Sequence, residues 1–231
     1  MTVPVLLPTN VQNESFAGVT YHVQGELVPV LQIELGTMPV FFEHHVLLWK
    51  EPNVNIGMKA VSGAFKRAVA GLPILMTVAE GPGRIGFSRD GAGHVFGIHL
   101  NKGESIEVRE HQFLAATDNL EYGFSRVKGI ANMLFGGSGF FVDTFACRDV
   151  NGIVWLHGYG NVFEITLKAG ESIDVEPSAW IYKQASVRME TNIQRLTAGL
   201  FGANGQLVVN RFTGPGRLGI QSMSLYMPAA K

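Results

Sequence analysis

Seven histidines and one cysteine are the side chains with which this 231-residue chain could hold a metal or make a nucleophile. A metal held between strands needs a His-x-His pair on one strand face and a carboxylate a few residues on. His94 and His99 are instead five apart, on opposite faces of a strand, and His44 and His45 are adjacent and point apart. Glu43-His44 and Glu110-His111 occupy equivalent places, but Pro177-Ser178 stands where a third copy would be. They read as loop or edge residues, and no metal or other cofactor is expected. Cys147, in DTFACRDV, has Arg148 beside it, and an adjacent cation lowers a thiol pKa. No histidine neighbour completes a catalytic pair. Gly-Glu-Ser at 103–105 and 170–172 lacks the G-x-S-x-G frame of a nucleophile elbow. The glycine clusters at 81–83 and 136–139 lack the Lys-Ser/Thr of a phosphate loop. No catalytic set emerges, and the chain is expected not to be an enzyme.

What positions these residues is a repeat. Gly93–Val108, GHVFGIHLNKGESIEV, returns at Gly160–Val175 as GNVFEITLKAGESIDV, identical at 10 of 16 positions and offset by 67. A weaker copy surrounds Gly36, so Gly36, Gly103 and Gly170 are equally spaced. Leu31, Ile33 and Leu35 alternate with polar residues, as do Phe96, Ile98, Leu100 and Phe163, Ile165, Leu167. Period two means half-buried strands. Gly103 and Gly170 then close hairpin turns that call for a left-handed residue, and Ile106, Val108 or Ile173, Val175 return to the core face. GPGRIG at Gly81–Gly86 and GPGRLG at Gly214–Gly219 read as type II turns on Gly83 and Gly216, with VNGIVW at 150–155 as a degenerate middle version.

The copies differ at one place. The outward positions Ser105, Glu107, Arg109 and Ser172, Asp174, Glu176 are polar, but their counterparts Met38, Val40 and Phe42 are apolar. A strand apolar on both faces is covered on both. The cover is either a second interface or residues 1–24 folding over it. Short helices are expected at Ser62–Ala70, Ser125–Leu134 and Asn192–Leu200, each closed by a glycine (Gly71, Gly136, Gly202).

Bulk properties bound the rest. Apolar residues make up 46% and charged residues 16%, against roughly 25% charged in an average globular chain. A net charge of −1 and a pI of 6.7 argue against broad attraction to nucleic acid or an anionic membrane. One cysteine permits no intrachain disulfide. No signal peptide, presequence or transmembrane run is visible, so a cytoplasmic location is expected. The expected architecture is all-β: one domain over 1–231, in three tandem units at 25–92, 93–159 and 160–226, with short helices between them.

The doubled hairpin with GESIEV and GESIDV, and the closing GPGRLGIQS at 214–222, resemble the altered-inheritance-of-mitochondria protein twenty-four family. The likeness spans about residues 25–222. It implies three TRAP-like β-units of the double-stranded β-helix or sandwich type, in pseudo-threefold arrangement, and a tendency to self-assemble. Eukaryotic members are linked to mitochondrial organisation; without a visible presequence this chain looks like a prokaryotic member. The family offers no catalytic motif to carry over. The expected function is a self-associating, non-enzymatic assembly or binding module, a homo-oligomer. The alternative is small-ligand or RNA binding, by analogy with the tryptophan RNA-binding attenuation protein.

Overall fold

Alternating apolar residues become strand nearly everywhere in a computed structural model of the chain, which describes residues 2–60, 75–127, 140–197 and 204–223. The first stretch holds β1 (Val5–Leu6), β2 (Val11–Phe16), β3 (Val19–Gln24), β4 (Val30–Leu35), β5 (Val40–Phe42), a 3-10 turn at His44–Val46, β6 (Leu47–Lys50), β7 (Asn55–Ala60), β8 (Leu75–Glu80) and β9 (Gly83–Phe87). Next come β10 (Gly93–Leu100), β11 (Ser105–Arg109), β12 (Phe113–Thr117), β13 (Glu121–Val127), β14 (Phe140–Ala146) and β15 (Gly152–Tyr159). The last are β16 (Val162–Leu167), β17 (Ser172–Val175), β18 (Trp180–Gln184), β19 (Arg188–Thr197), β20 (Asn204–Thr213) and β21 (Gly216–Gln221).

Among the described residues the chain is all-β, and every ladder is antiparallel. No α-helix occurs there. Ser125–Val127 belongs to β13 and Asn192–Thr197 to β19, so at these residues the expected helices are long hairpin arms instead. Strand pairing outweighs the weak intrinsic helicity of so short a segment: β19 finds ten partners along β20, from Arg188↔Thr213 to Thr197↔Asn204. The expected helix at 62–70, residues 128–134 and 198–200, and the closing glycines Gly71, Gly136 and Gly202 lie outside the described residues.

The sheets mix distant stretches of chain. One runs β10-β15-β12-β5-β8-β7, and another β1-β16-β21-β18-β11-β14-β13. In both, a set of three strands (with β1 added at the outer edge in the second sheet) is joined edge to edge to a strand and hairpin arm from earlier in the sequence. The first joint pairs Ala115, Ala116 and Thr117 of β12 with Phe42, Phe41 and Val40 of β5. The second pairs Tyr182, Lys183 and Gln184 of β18 with Val108, Glu107 and Ile106 of β11. The other two sheets are β2-β3-β4-β9-β6 and β17-β20-β19.

This pairing settles where Met38, Val40 and Phe42 go. Val40 and Phe42 are wholly buried within the chain, in a cluster with Val19, Tyr21 and Val23 of β3, Leu31, Ile33 and Leu35 of β4, and Trp155 of β15. Met38 is half-buried against the same cluster. The outward apolar face expected there is therefore interior, covered by strands of this chain. Phe41, between them, points into a second cluster with Phe96, Ile98, Ile106, Val108 and Phe113, so β5 is dry on both faces.

The turn glycines divide. Gly103 and Gly170 sit at φ 86 and 76, and Gly83 and Gly216 at φ 139 and 140, a region that favours glycine. Gly36 has no such φ, so the first copy of the hairpin does not use the left-handed turn. The peptide bonds before Pro82 and Pro215 are cis, where a type II turn has them trans.

Candidate functional site

The joint between β5 and β12 forms the foot of a cleft of about 540 Å3, lined by β5, the β7–β8 arm, the turn after β12, and the β13–β14 arm. Its floor is aromatic, formed by Phe41 and Tyr122 and backed by the buried rings of Phe113 and Phe145. Phe41, Phe113, Tyr122 and Phe145 pack with ring centroids 4.9–6.4 Å apart. The register of the two arms dictates this: Tyr122 pairs with Phe145 across β13–β14, and Phe41 with Val78 across β5–β8.

Above the floor stand two pairs of opposite charge. Lys59 Nζ lies 2.6 Å from Asp118 Oδ1, donates also to the Asp118 carbonyl, and sits 5.0 Å from the centre of the Phe41 ring. A cation over a ring face gains about 0.5–2 kcal/mol, depending on its exposure to water. The Asp118 amide donates to the Pro39 carbonyl at 2.9 Å, which fixes the turn against the strand before β5. Arg148 Nε meets Glu121 Oε1 at 2.7 Å, and both are well exposed. Such a surface pair contributes little to stability and is free to exchange partners. Tyr122 donates its hydroxyl to Asp143 Oδ1 at 2.7 Å. Asn119 donates to the Val150 and Asn151 carbonyls, while its buried Oδ1 accepts nothing from the described residues. Cations, carboxylates, an amide and an apolar floor suit a small amphipathic molecule. Among the described residues, neither histidine nor cysteine lines the cleft.

The residues singled out in the sequence lie elsewhere and apart. Glu43 faces His45 at 3.5 Å and Arg89 at 3.9 Å, while His44 is exposed. Glu110 and His111 occupy the turn between β11 and β12, with His111 at φ 67. The Cys147 thiol is buried and donates to the Val150 carbonyl. Burial pushes its pKa up, and Arg148 turns to Glu121 rather than activating it. Among the described residues, no three His, Cys, Asp or Glu side chains gather as a metal site.

Two polar clusters were not legible from the sequence. His99 Nε2 lies 3.0 Å from Glu14 and 3.4 Å from the Tyr21 hydroxyl, and Phe16 stacks on its ring. Burial lowers the His99 pKa against the pull of Glu14, and raises that of Tyr21. Deeper in, His157 is 1% exposed; its backbone amide donates to the Gln112 carbonyl and its Nε2 to the Gly91 carbonyl. Burial, reinforced by Arg89 nearby, pushes its pKa down to about 4. Arg89 itself is buried and donates to the Phe113 carbonyl at 2.8 Å.

The sequence profile described as mitochondrial biogenesis AIM24 matches residues 21–223. An uncharacterised protein of Streptococcus pyogenes serotype M6 is 24% identical over 197 residues, covering 84% of this chain and 77% of its own. A crystal structure of a Streptococcus pyogenes protein from a structural genomics consortium superimposes with a TM-score of 0.68 at 20% identity. That match covers 89% of this chain and 94% of the other, and it supports the fold. Among the described residues no helix is long and apolar enough to cross a membrane.

Proposed function

The chain belongs to the mitochondrial biogenesis AIM24 family, and from that premise we propose that it is a non-enzymatic assembly module that self-associates. On this reading it is built of three tandem TRAP-like units at 25–92, 93–159 and 160–226 around a pseudo-threefold axis. The observation that carries it is apolar surface left facing water. On the β7–β8 arm, Ile56, Met58 and Leu75 are 43%, 78% and 46% exposed, and the register sets all three on one face. Nearby in sequence, Leu48 and Trp49 of β6 are exposed too. Clustered apolar exposure of this kind marks interaction surfaces. A lone, buried cysteine suits a reducing compartment such as the cytoplasm. Sedimentation velocity over a concentration series tests the reading. Association that weakens in an Ile56→Lys/Met58→Glu chain is expected, and a monomer at every concentration would count decisively against it.

A second reading is favoured by the cleft: binding of a small amphipathic ligand between the β7–β8 and β13–β14 arms. Paired cation and carboxylate groups over an aromatic floor support a zwitterion with an apolar side chain, such as tryptophan. RNA is the weaker form of this reading, since the net charge is −1. Thermal shift with tryptophan and related amino acids, lost in Lys59→Met, is the expected outcome. No shift with any of them sinks this reading.

A further inference from the structure

The two joints inside the chain have a recurring grammar, and the chain carries both halves of a third joint that it does not make. β12 and β18 each contain a bulge against their inner neighbour, between Phe113 and Ala115 and between Trp180 and Tyr182. In each, the residue after the bulge begins the joint: Ala115 opposite Phe42, and Tyr182 opposite Val108. β6 has the same bulge against β9, between Leu47 and Trp49, but it ends its sheet. β17 pairs along β20 as β11 does along β14, Ile173↔Phe212 matching Ile106↔Phe145, and β17 also ends its sheet.

Burial shows what the β6 edge lacks. At the formed joints, Leu114 and Ala115 of β12 and Ile181 and Tyr182 of β18 are all 0% exposed. Their counterparts on β6, Leu48 and Trp49, are 55% and 36% exposed. An open strand edge carrying apolar side chains is a template for another strand.

We propose that β6 of one copy pairs antiparallel with β17 of a second copy of this chain, reproducing the joint that β18 makes with β11. Carrying the register over sets Trp49 opposite Val175, Lys50 opposite Asp174 and Glu51 opposite Ile173. Charge agrees with that register. In the formed joint the same central position is Lys183 opposite Glu107, with Nζ 3.0 Å from Oε2. Lys50 now donates only to the Glu51 and Val54 carbonyls among the described residues. Asp174 is exposed and held in a two-point bond by Arg211, so it presents a fixed carboxylate at the edge. A second copy is the occupant because this chain leaves both edges unpaired, and each carries the register and the charge that the other needs.

The inference rests on the self-association reading and adds its surface, and a charge swap separates the two. Lys50→Asp and Asp174→Lys each place like charges across the joint and are expected to shift the sedimenting species toward monomer. The Lys50→Asp/Asp174→Lys chain restores opposite charge and is expected to reassociate. If the wild type associates and the single variants sediment unchanged, or the double variant stays dissociated, the edge pairing is overturned while self-association stands. A monomeric wild type overturns both. Disulfide trapping gives a readout independent of these charges. Lys50→Cys/Asp174→Cys on a Cys147→Ser background is expected to oxidise to covalent multimers. An internal disulfide in a monomer, or no disulfide at all, overturns the proposal.

Discussion

Glu14 reaches His99 at 3.0 Å, and two residues along, Phe16 lays its ring on the same imidazole, with centroids 4.1 Å apart and planes 5° from parallel. The N-terminal hairpin β2–β3 is thereby clasped to β10, 85 residues away in sequence, while Tyr21 of β3 packs edge-on against Trp155. The contact is about one-third exposed on both sides, so Glu14→Gln is expected to cost roughly 0.5 kcal/mol. Phe16→Ala, which uncovers the ring, should cost about 1 kcal/mol. Deleting residues 1–24 removes buried Val19, Tyr21 and Val23 and is expected to abolish the cooperative urea transition, not merely shift it.

His157 should make stability fall in mild acid. Its pKa in the folded chain is about 4, below the ordinary 6.5, so the unfolded chain takes up the proton first. The contribution is present above pH 6.5 and is lost as pH falls towards 4, with His94 and His99 acting in the same direction. Between pH 7 and pH 5 the His157 share is about 2 kcal/mol. Urea denaturation at the two pH values should show a smaller drop for His157→Asn than for the wild type.

Lys183 and Glu107 should respond unequally to substitution. The Lys183 side chain is 6% exposed and that of Glu107 30%. Glu107→Gln leaves a nearly dry ammonium without its counter-charge and is expected to cost roughly 2–3 kcal/mol, below the full range for a wholly buried pair. Lys183→Met leaves a carboxylate that water can still reach, and its cost should be under about 1 kcal/mol. Chemical denaturation of both variants checks the asymmetry; equal costs would refute it.

Two glycines ten residues apart are needed for different reasons. Gly103 has φ 86 and open space where a Cβ would stand, so only backbone conformation restricts it. Gly103→Asn should be mild and Gly103→Val should cost about 1–2 kcal/mol. At Gly93 a Cβ would meet the Gly158 carbonyl oxygen at 2.1 Å and the His157 ring at 2.5 Å. Gly93→Ala is expected to cost roughly 3 kcal/mol, since a backbone atom cannot step aside. Thermal melts of the three variants should rank in that order.

The strands and their inward faces were legible because period two is a local signal: Leu31, Ile33 and Leu35 are all buried, as are Phe96, Ile98 and Leu100. Which strand would lie beside which was not. Met38, Val40 and Phe42 announced a strand covered on both faces, but nothing in the sequence says that β12 supplies the neighbouring edge. The helix expected over Asn192–Leu200 rests on that segment alone, whereas at Asn192–Thr197 it is the ladder with Asn204–Val209 that keeps the chain extended. The cleft was hidden for the same reason. Lys59 and Asp118 are 59 residues apart, and neither is unusual alone. The separate histidines drew attention by their chemistry, whereas the residues that share a cleft are ordinary until folding assembles them.

Because β5, β8 and β7 complete their sheet only with β12 and β15, the first eighty residues emerge from the ribosome before their neighbours exist. Until residue 117 has been made, β5 has no strand on its β12 side, and Phe41 lacks Phe96, Ile106, Phe113 and the rest of the cluster it enters. The same delay recurs for β11, which waits for β18. Vectorial synthesis therefore holds sticky strand edges open twice, and long-range pairing of this kind folds slowly. The chain's yield in a cell should depend on translation speed and chaperone supply more than its finished stability would suggest.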